Sequence, residues 1–161
     1  MESDLNKLLA SLPKYPSFSL IHFSNNCNLI NELKEFTKEA QEYLILTFSK
    51  NSLETLVKYE NSSIKVQLIN PKRPKYHNPS KSYDYLFITS LPEDRESFYK
   101  KIYYALKNAA PIFIFLKQSQ KELSKKIESE LIDNNFVATN ILTIDQYIVV
   151  SGRKMHGWSG A

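Results

Sequence analysis

Glycine is nearly missing from this chain. Of 161 residues only Gly152, Gly157 and Gly160 are glycine, so residues 1–151 contain none. A loop that wraps a phosphate with its backbone, or a dinucleotide fingerprint, needs glycine where the main chain turns sharply and approaches its ligand. Neither can stand in its standard form ahead of residue 152. The strained strand-to-helix turn that carries a hydrolase nucleophile also needs glycines. Cysteine is equally scarce. Cys27 stands alone, which rules out an internal disulfide and fits a reducing cytoplasm. A lone thiol is read as a packed residue ahead of a nucleophile. The three histidines, His22, His77 and His156, lie far apart and none has a ligand-type partner three or four residues away. With a single cysteine there is no zinc set. No apolar run approaches the ~18–20 residues that cross a bilayer. The segment from Met1 to Leu12 carries acids early and no long apolar stretch, so it is not read as a signal peptide.

What is present is an ordinary globular composition. Hydrophobic residues make up 42% and charged residues 24%, enough apolar material to build a core rather than a disordered chain. The length suits one domain. Residues 1–161 are expected to form it, with 1–14 as a helical extension and 152–161 as a tail. Leu5, Leu8, Leu9 and Leu12 recur at helical spacing in that extension. The net charge of +4 and pI near 9.0 permit a polyanionic partner without requiring one.

Strands and helices alternate along the chain. Phe18–Phe23 is a short apolar run and reads as a first strand. Asn28 is expected to cap the helix that follows, whose stripe is Leu29, Leu33, Phe36 and Ala40. Tyr43–Phe48 is almost continuously apolar, as a strand covered on both faces must be. Asn51 and Glu54 stand in a capping-box relation ahead of Leu53 and Leu56. Ile64–Ile69 alternates, and its polar members Lys65 and Gln67 point to a sheet edge. Tyr85–Ile88 is a fourth strand. Pro92 and a run of charges open a helix with Phe98, Ile102, Ala105, Leu106 and Ala109 on one face. Ile112–Leu116 is a fifth strand, and Ser119 and Glu122 suggest a further capping box before Leu123, Ile127 and Leu131. The last two strands, about 137–144 and 146–151, are separated by almost nothing. They must therefore pair antiparallel, since parallel neighbours need a long crossover. The sum is an α/β fold with three layers: a doubly wound, mostly parallel seven-stranded sheet ending in an antiparallel hairpin.

Tyr83-Asp84-Tyr85-Leu86-Phe87-Ile88, the turn Leu106-Lys107-Asn108-Ala109-Ala110-Pro111, and Asn134-Asn135-Phe136 followed by Tyr147–Lys154 carry a resemblance. In order and spacing the chain resembles the class I S-adenosylmethionine-dependent methyltransferases over almost its whole length. The resemblance implies a methyltransferase-like Rossmann fold. It also implies a cofactor site at the turn after the first strand and at the end of the second. The family's glycine-rich turn is replaced here by Ser24-Asn25-Asn26-Cys27-Asn28. Asparagine tolerates left-handed backbone, so Asn25 or Asn26 can make the turn, with side chains standing where the cofactor would lie. The family's ribose-binding acid is replaced by Phe48-Ser49-Lys50, in which Ser49 can accept one hydrogen bond and Lys50 none. Thr89-Ser90-Leu91-Pro92 does not match the motif of amino-directed methyltransferases. The resemblance thus points to Ser24, Asn25, Asn26 and Ser49 as the residues of a degenerate pocket. No cofactor is expected, with S-adenosylmethionine as the alternative.

The segment from Asn70 to Lys81 is the most distinctive in the chain. Lys72, Arg73, Lys75 and Lys81 give it four fixed positive charges with no acid, and three prolines keep it out of regular structure. Tyr76 and His77 add flat groups that can stack on a base. It connects the third and fourth strands, so it starts at the carboxyl edge of the sheet, where such folds bind ligands. The segment is read as a binding surface for RNA or a protein partner, against the plainer alternative of a solvated connector. The terminal Arg153-Lys154-Met155-His156-Gly157-Trp158 is an interaction segment, a packing anchor or a disordered end. The expected function is a methyltransferase-fold binding or scaffold module, and the alternative is a divergent methyltransferase.

Overall fold

A computed structural model of the chain describes residues 3–70 and 82–155. Among these residues the strands β1 (Ser19–Phe23), β2 (Glu42–Thr47), β3 (Ile64–Leu68), β4 (Tyr85–Ile88), β5 (Pro111–Lys117), β6 (Phe136–Ile144) and β7 (Tyr147–Lys154) form one sheet. Their order is β3-β2-β1-β4-β5-β7-β6. The first five pair in parallel, while β7 runs antiparallel to both β5 and β6. Every residue of β1 is buried, as expected of a strand with neighbours on both sides and helices on both faces. At the β3 edge Ile64 and Val66 are buried while Lys65 and Gln67 are exposed, so the alternation read from the sequence marks the edge.

The helices are α1 (Asp4–Ser11), α2 (Ile30–Phe36), α3 (Lys50–Leu56), α4 (Arg95–Ala105) and α5 (Lys121–Asp133). Two apolar clusters, one on each face of the sheet, hold them. Phe98, Ile102, Ile127 and Leu131 of α4 and α5 pack against Ile21, Leu44, Leu86 and Ile114. Leu5, Leu9, Ile30, Leu33 and Leu56 of α1, α2 and α3 pack against Leu20, Ile45, Phe87 and Val149 on the other side. This is the three-layer arrangement that the alternation of strands and helices implies. Among the described residues no helix is long and apolar enough to cross a membrane.

Several helix starts differ from the sequence expectation. Leu29, not Asn28, is the N-cap of α2, at φ 69° and with no side-chain cap bond. The Asn28 N–H instead donates to Asn26 Oδ1 at 2.9 Å, a local asparagine turn that competes with a helix cap. Ser49 caps α3 by accepting from Ser52 N–H, ahead of the Asn51–Glu54 pair. Before α5 a short 3-10 turn, Gln118–Gln120, sets the helix start one residue later than Ser119. The Gln120 side chain takes the Lys117 N–H at 3.0 Å. Asp94 caps α4.

The closing hairpin turns through Asp145 and Gln146, with Asp145 at φ 53°. Aspartate is one of the few residues besides glycine that visits this region readily. β7 continues to Lys154, beyond the expected end at 151. Asp145 has a second task. Its carboxylate accepts from Asp4 N–H at 2.9 Å and from Leu5 N–H at 3.2 Å. It therefore satisfies two otherwise orphaned donors at the start of α1 and ties the chain's first helix to its last hairpin.

Candidate functional site

The sheet order changes direction between β1 and β4, because β1 leads to β2 on one side while β4 continues on the other. In open α/β sheets, ligands bind outside the carboxyl ends of the strands at this switch point. Three strands end here in polar residues: Ser24 after β1, Thr47 closing β2, and Thr89 and Ser90 after β4.

Asn25 joins all three. Its N–H donates to Ser90 Oγ at 2.8 Å, which bridges the switch point itself. Its side-chain Oδ1 accepts from Thr47 Oγ1 at 2.8 Å and from Phe48 N–H at 2.9 Å. Its carbonyl oxygen accepts from Ser52 Oγ of α3 at 2.7 Å. Ser24 is fully buried. Its hydroxyl donates to the Asn26 carbonyl oxygen at 2.7 Å and accepts from Asn26 N–H at 3.2 Å. Asn26 is exposed, and its side chain is turned back onto Asn28 N–H. Ser49 Oγ accepts from Ser52 N–H at 3.3 Å as the α3 cap. Phe48 turns its ring inward, stacked 6.0 Å from Phe23 and edge-on to Phe98.

The turn residues named from the sequence, Ser24, Asn25, Asn26 and Ser49, thus lie together at the carboxyl edge. Sequence reasoning missed their partners Thr47, Ser52 and Ser90. The available signal was the run of hydroxyl residues directly after three separate apolar strands.

His22 lies one layer deeper, fully buried. Its Nδ1 is 2.8 Å from Tyr43 Oη and its Nε2 is 3.0 Å from Thr89 Oγ1. The Thr89 hydroxyl also lies 3.4 Å from the Phe23 carbonyl oxygen. Both ring nitrogens are hydrogen-bonded, one as donor and one as acceptor in the neutral imidazole. Burial pushes the imidazole down to about 3, and desolvation raises the Tyr43 phenol. An imidazole this weak cannot serve as a general base toward Thr89 near neutral pH. His22 is a packed, doubly bonded core residue, as its place in an apolar strand suggests. Among the described residues no group of three or more His, Cys, Asp or Glu side chains could hold a metal ion.

The basic-segment residues Lys72, Arg73, Lys75, Tyr76, His77 and Lys81 lie outside the described residues. The flanks fix where that segment leaves and returns. Ile69 N–H donates to Thr47 O at 2.9 Å, so the chain departs from the carboxyl edge beside the Asn25 network. It re-enters at Tyr83, which bridges to Leu106 at the opposite edge.

No protein-family model matches the chain, and no curated protein matches it. Solved structures do. A chain in the complex of the Haloferax volcanii Trm112 methyltransferase activator superposes with a TM-score of 0.77 at 9% identity, over 96% of this chain and 90% of that one. A SAM dependent methyltransferase from Aquifex aeolicus gives 0.73 at 12% identity, covering 94% and 89%. An S-adenosylmethionine dependent methyltransferase from Mesorhizobium loti gives 0.64 at 13% identity, covering 95% and 98%. These likenesses concern the backbone alone, and they establish a class I methyltransferase-like fold.

Proposed function

We propose that this chain is a binding or scaffold module built on the methyltransferase-like fold, with a cofactor site whose standard features are gone. Its partner is RNA or a protein, engaged through residues 70–81. The observation that carries this reading is the Asn25 network. Where the resemblance implies a bare glycine backbone opening toward a cofactor, an asparagine side chain bonds β1 to the end of β2. The acid that the resemblance implies there is replaced by Phe48-Ser49-Lys50, in which the Phe48 ring packs inward and Ser49 caps α3. Asn25 Oδ1 satisfies both the Phe48 N–H and the Thr47 hydroxyl. An unsatisfied buried donor costs roughly 1–3 kcal/mol. A protein partner is supported by the neighbour solved with a methyltransferase activator. An RNA partner is supported by the four cations and two flat side chains of the segment that departs beside this edge.

The alternative, a divergent S-adenosylmethionine-dependent enzyme, is favoured by the S-adenosylmethionine-dependent neighbours. Thermal unfolding with S-adenosylmethionine and S-adenosylhomocysteine separates the two. A ligand at 100 times its dissociation constant stabilises by about 2.7 kcal/mol, or roughly 5–10 °C in Tm for a chain of this size. The scaffold reading expects no shift with either compound at millimolar concentration, and a clear shift sinks it. For the partner, RNA binding is followed over a salt series. Four phosphate contacts give a log–log slope of about −3 on single strands. A variant with Lys72, Arg73, Lys75 and Lys81 all changed to Ala should lose that slope. Equal binding by parent and variant, or no binding by the parent at low salt, removes the RNA reading.

A further inference from the structure

At the opposite edge of the sheet, where β4 and β5 begin, the chain forms a concavity of about 410 Å³. Tyr15, Asp84, Lys107, Asn108, Ala109 and Arg153 are among its lining residues. It is built from four separate segments: those ahead of β1 and of β4, the turn between α4 and β5, and the end of β7. Asp84, ahead of β4, ties the start of β1 to the turn between α4 and β5. Its side chain is only 7% exposed. Oδ2 accepts from Ser19 N–H at 2.9 Å, and Oδ1 accepts from Lys107 Nζ at 3.0 Å. The turn is closed by Ala110 N–H on Lys107 O at 3.0 Å, with Ala109 at φ 65°. Ala109 N–H donates to Lys154 O, and Lys154 N–H donates to Ala110 O, which lock the turn to β7. The concavity is therefore held in shape before any ligand arrives, which lowers the ordering cost of binding.

Its polar surface is rich in donors. Arg153 uses one N–H, from Nη1 to the Ala109 carbonyl oxygen at 2.9 Å. A guanidinium has five. Lys107 Nζ uses one of its three N–H bonds on Asp84 and is half exposed. Asn108 stands exposed at the tip of the turn. With Lys107 and Arg153 against the single carboxylate of Asp84, the lining carries a net charge of +1. Beside them Tyr15 presents a ring that is 52% exposed. Tyr85 lies stacked 6.5 Å behind it, and the Tyr85 hydroxyl donates to the Pro13 carbonyl oxygen. A forked cation, a second cation and a propped aromatic face suit a phosphate monoester carried by a flat ring. The guanidinium fork and the ammonium take phosphate oxygens, and the ring stacks.

We propose that this concavity is a binding site for a nucleoside monophosphate, with the phosphate on Arg153, Lys107 and Asn108 and the base against Tyr15. The site is separate from the carboxyl edge and does not depend on the scaffold reading given above. Stacking does not discriminate strongly among bases, so the free nucleotide and the 5′-phosphorylated end of an RNA present the same chemistry.

Isothermal titration of the full chain at low salt tests this with adenosine 5′-monophosphate, adenosine and inorganic phosphate. The nucleotide should saturate with a dissociation constant below about 1 mM, more tightly than either fragment. Arg153→Gln should weaken both the nucleotide and inorganic phosphate, the nucleotide by about tenfold or more. Tyr15→Ala should weaken the nucleotide by about fivefold or more while leaving inorganic phosphate unchanged, and Tyr15→Phe should restore it. Asn25→Ala, at the other edge, should leave the nucleotide affinity as it is. Melting temperatures of the four variants confirm that each is folded in the assay. A 5′-phosphorylated dinucleotide that binds more tightly than the mononucleotide identifies an RNA end as the source, and equal binding identifies the free nucleotide. The proposal is overturned by the absence of saturable nucleotide binding, by an affinity unchanged in Arg153→Gln, or by a loss that follows Asn25→Ala instead.

Discussion

Lowering the pH from 7 to 5 should weaken folding through His22. In the folded chain burial holds its imidazole down to about 3, while in the unfolded chain it titrates near the ordinary 6.5. The folded value is depressed. The stability tied to the neutral ring is therefore fully present above about 6.5 and is lost as pH falls toward 3. Between pH 7 and 5 the unfolded chain takes up a proton that the folded chain refuses. The free-energy change is about 1.4 kcal/mol per pH unit below the unfolded value, or about 2 kcal/mol at pH 5. That corresponds to roughly 4–8 °C in Tm for a chain of this length. The window is clear of the Glu130 carboxyl. The Arg95 guanidinium bonded to it holds that group below the usual range, so its contribution is lost only below about 4.5. The assay is urea unfolding at half-unit pH steps for the parent and His22→Gln. The variant lowers stability at pH 7, yet its stability should change less between pH 7 and 5 than the parent's. Subtracting the two curves cancels every other titrating group. Imidazole nitrogen shifts of the parent give a second readout that needs no variant: His22 should stay neutral down to about pH 4. Parallel pH curves for parent and variant, or a His22 ring that protonates near pH 6, would refute the reasoning.

Asp145→Ala removes the carboxylate that accepts from Asp4 and Leu5 N–H. The expected cost is about 1–2 kcal/mol by the measure of helix caps, and hydrogen exchange in α1 should accelerate first; a loss spread evenly over the chain would contradict a local cap. Asn25→Gly deletes the acceptor for Thr47 and Phe48. Chemical denaturation should show a loss of roughly 1–3 kcal/mol, and an unchanged midpoint would mean the network carries no energy.

Much of the architecture was legible because it is written locally. Lys65 and Gln67 interrupt an apolar strand at period two, and an interrupted strand belongs at an edge. The few residues between Ile144 and Tyr147 leave only an antiparallel return. The apolar stripes Phe98–Ile102–Ala105 and Ile127–Leu131 each pack one helix against the sheet. Helix starts were less legible, since several residues near each start can accept the same backbone donors. Leu29 became a cap because Asn26 and Asn28 bond to each other first. The residues of the carboxyl edge were named but their task was not, because that task joins distant segments. Asn25 bonds to residues 22, 23, 27 and 65 positions away, and Asp145 caps a helix 140 and 141 positions away. No window of sequence contains such a pair. The missing glycines were the strongest clue, and the structure gives them a physical meaning. Where a glycine would have no side chain, Asn25 bonds across the strand ends. Asn25 supplies hydrogen bonds that hold the ends of β1, β2 and β4 together.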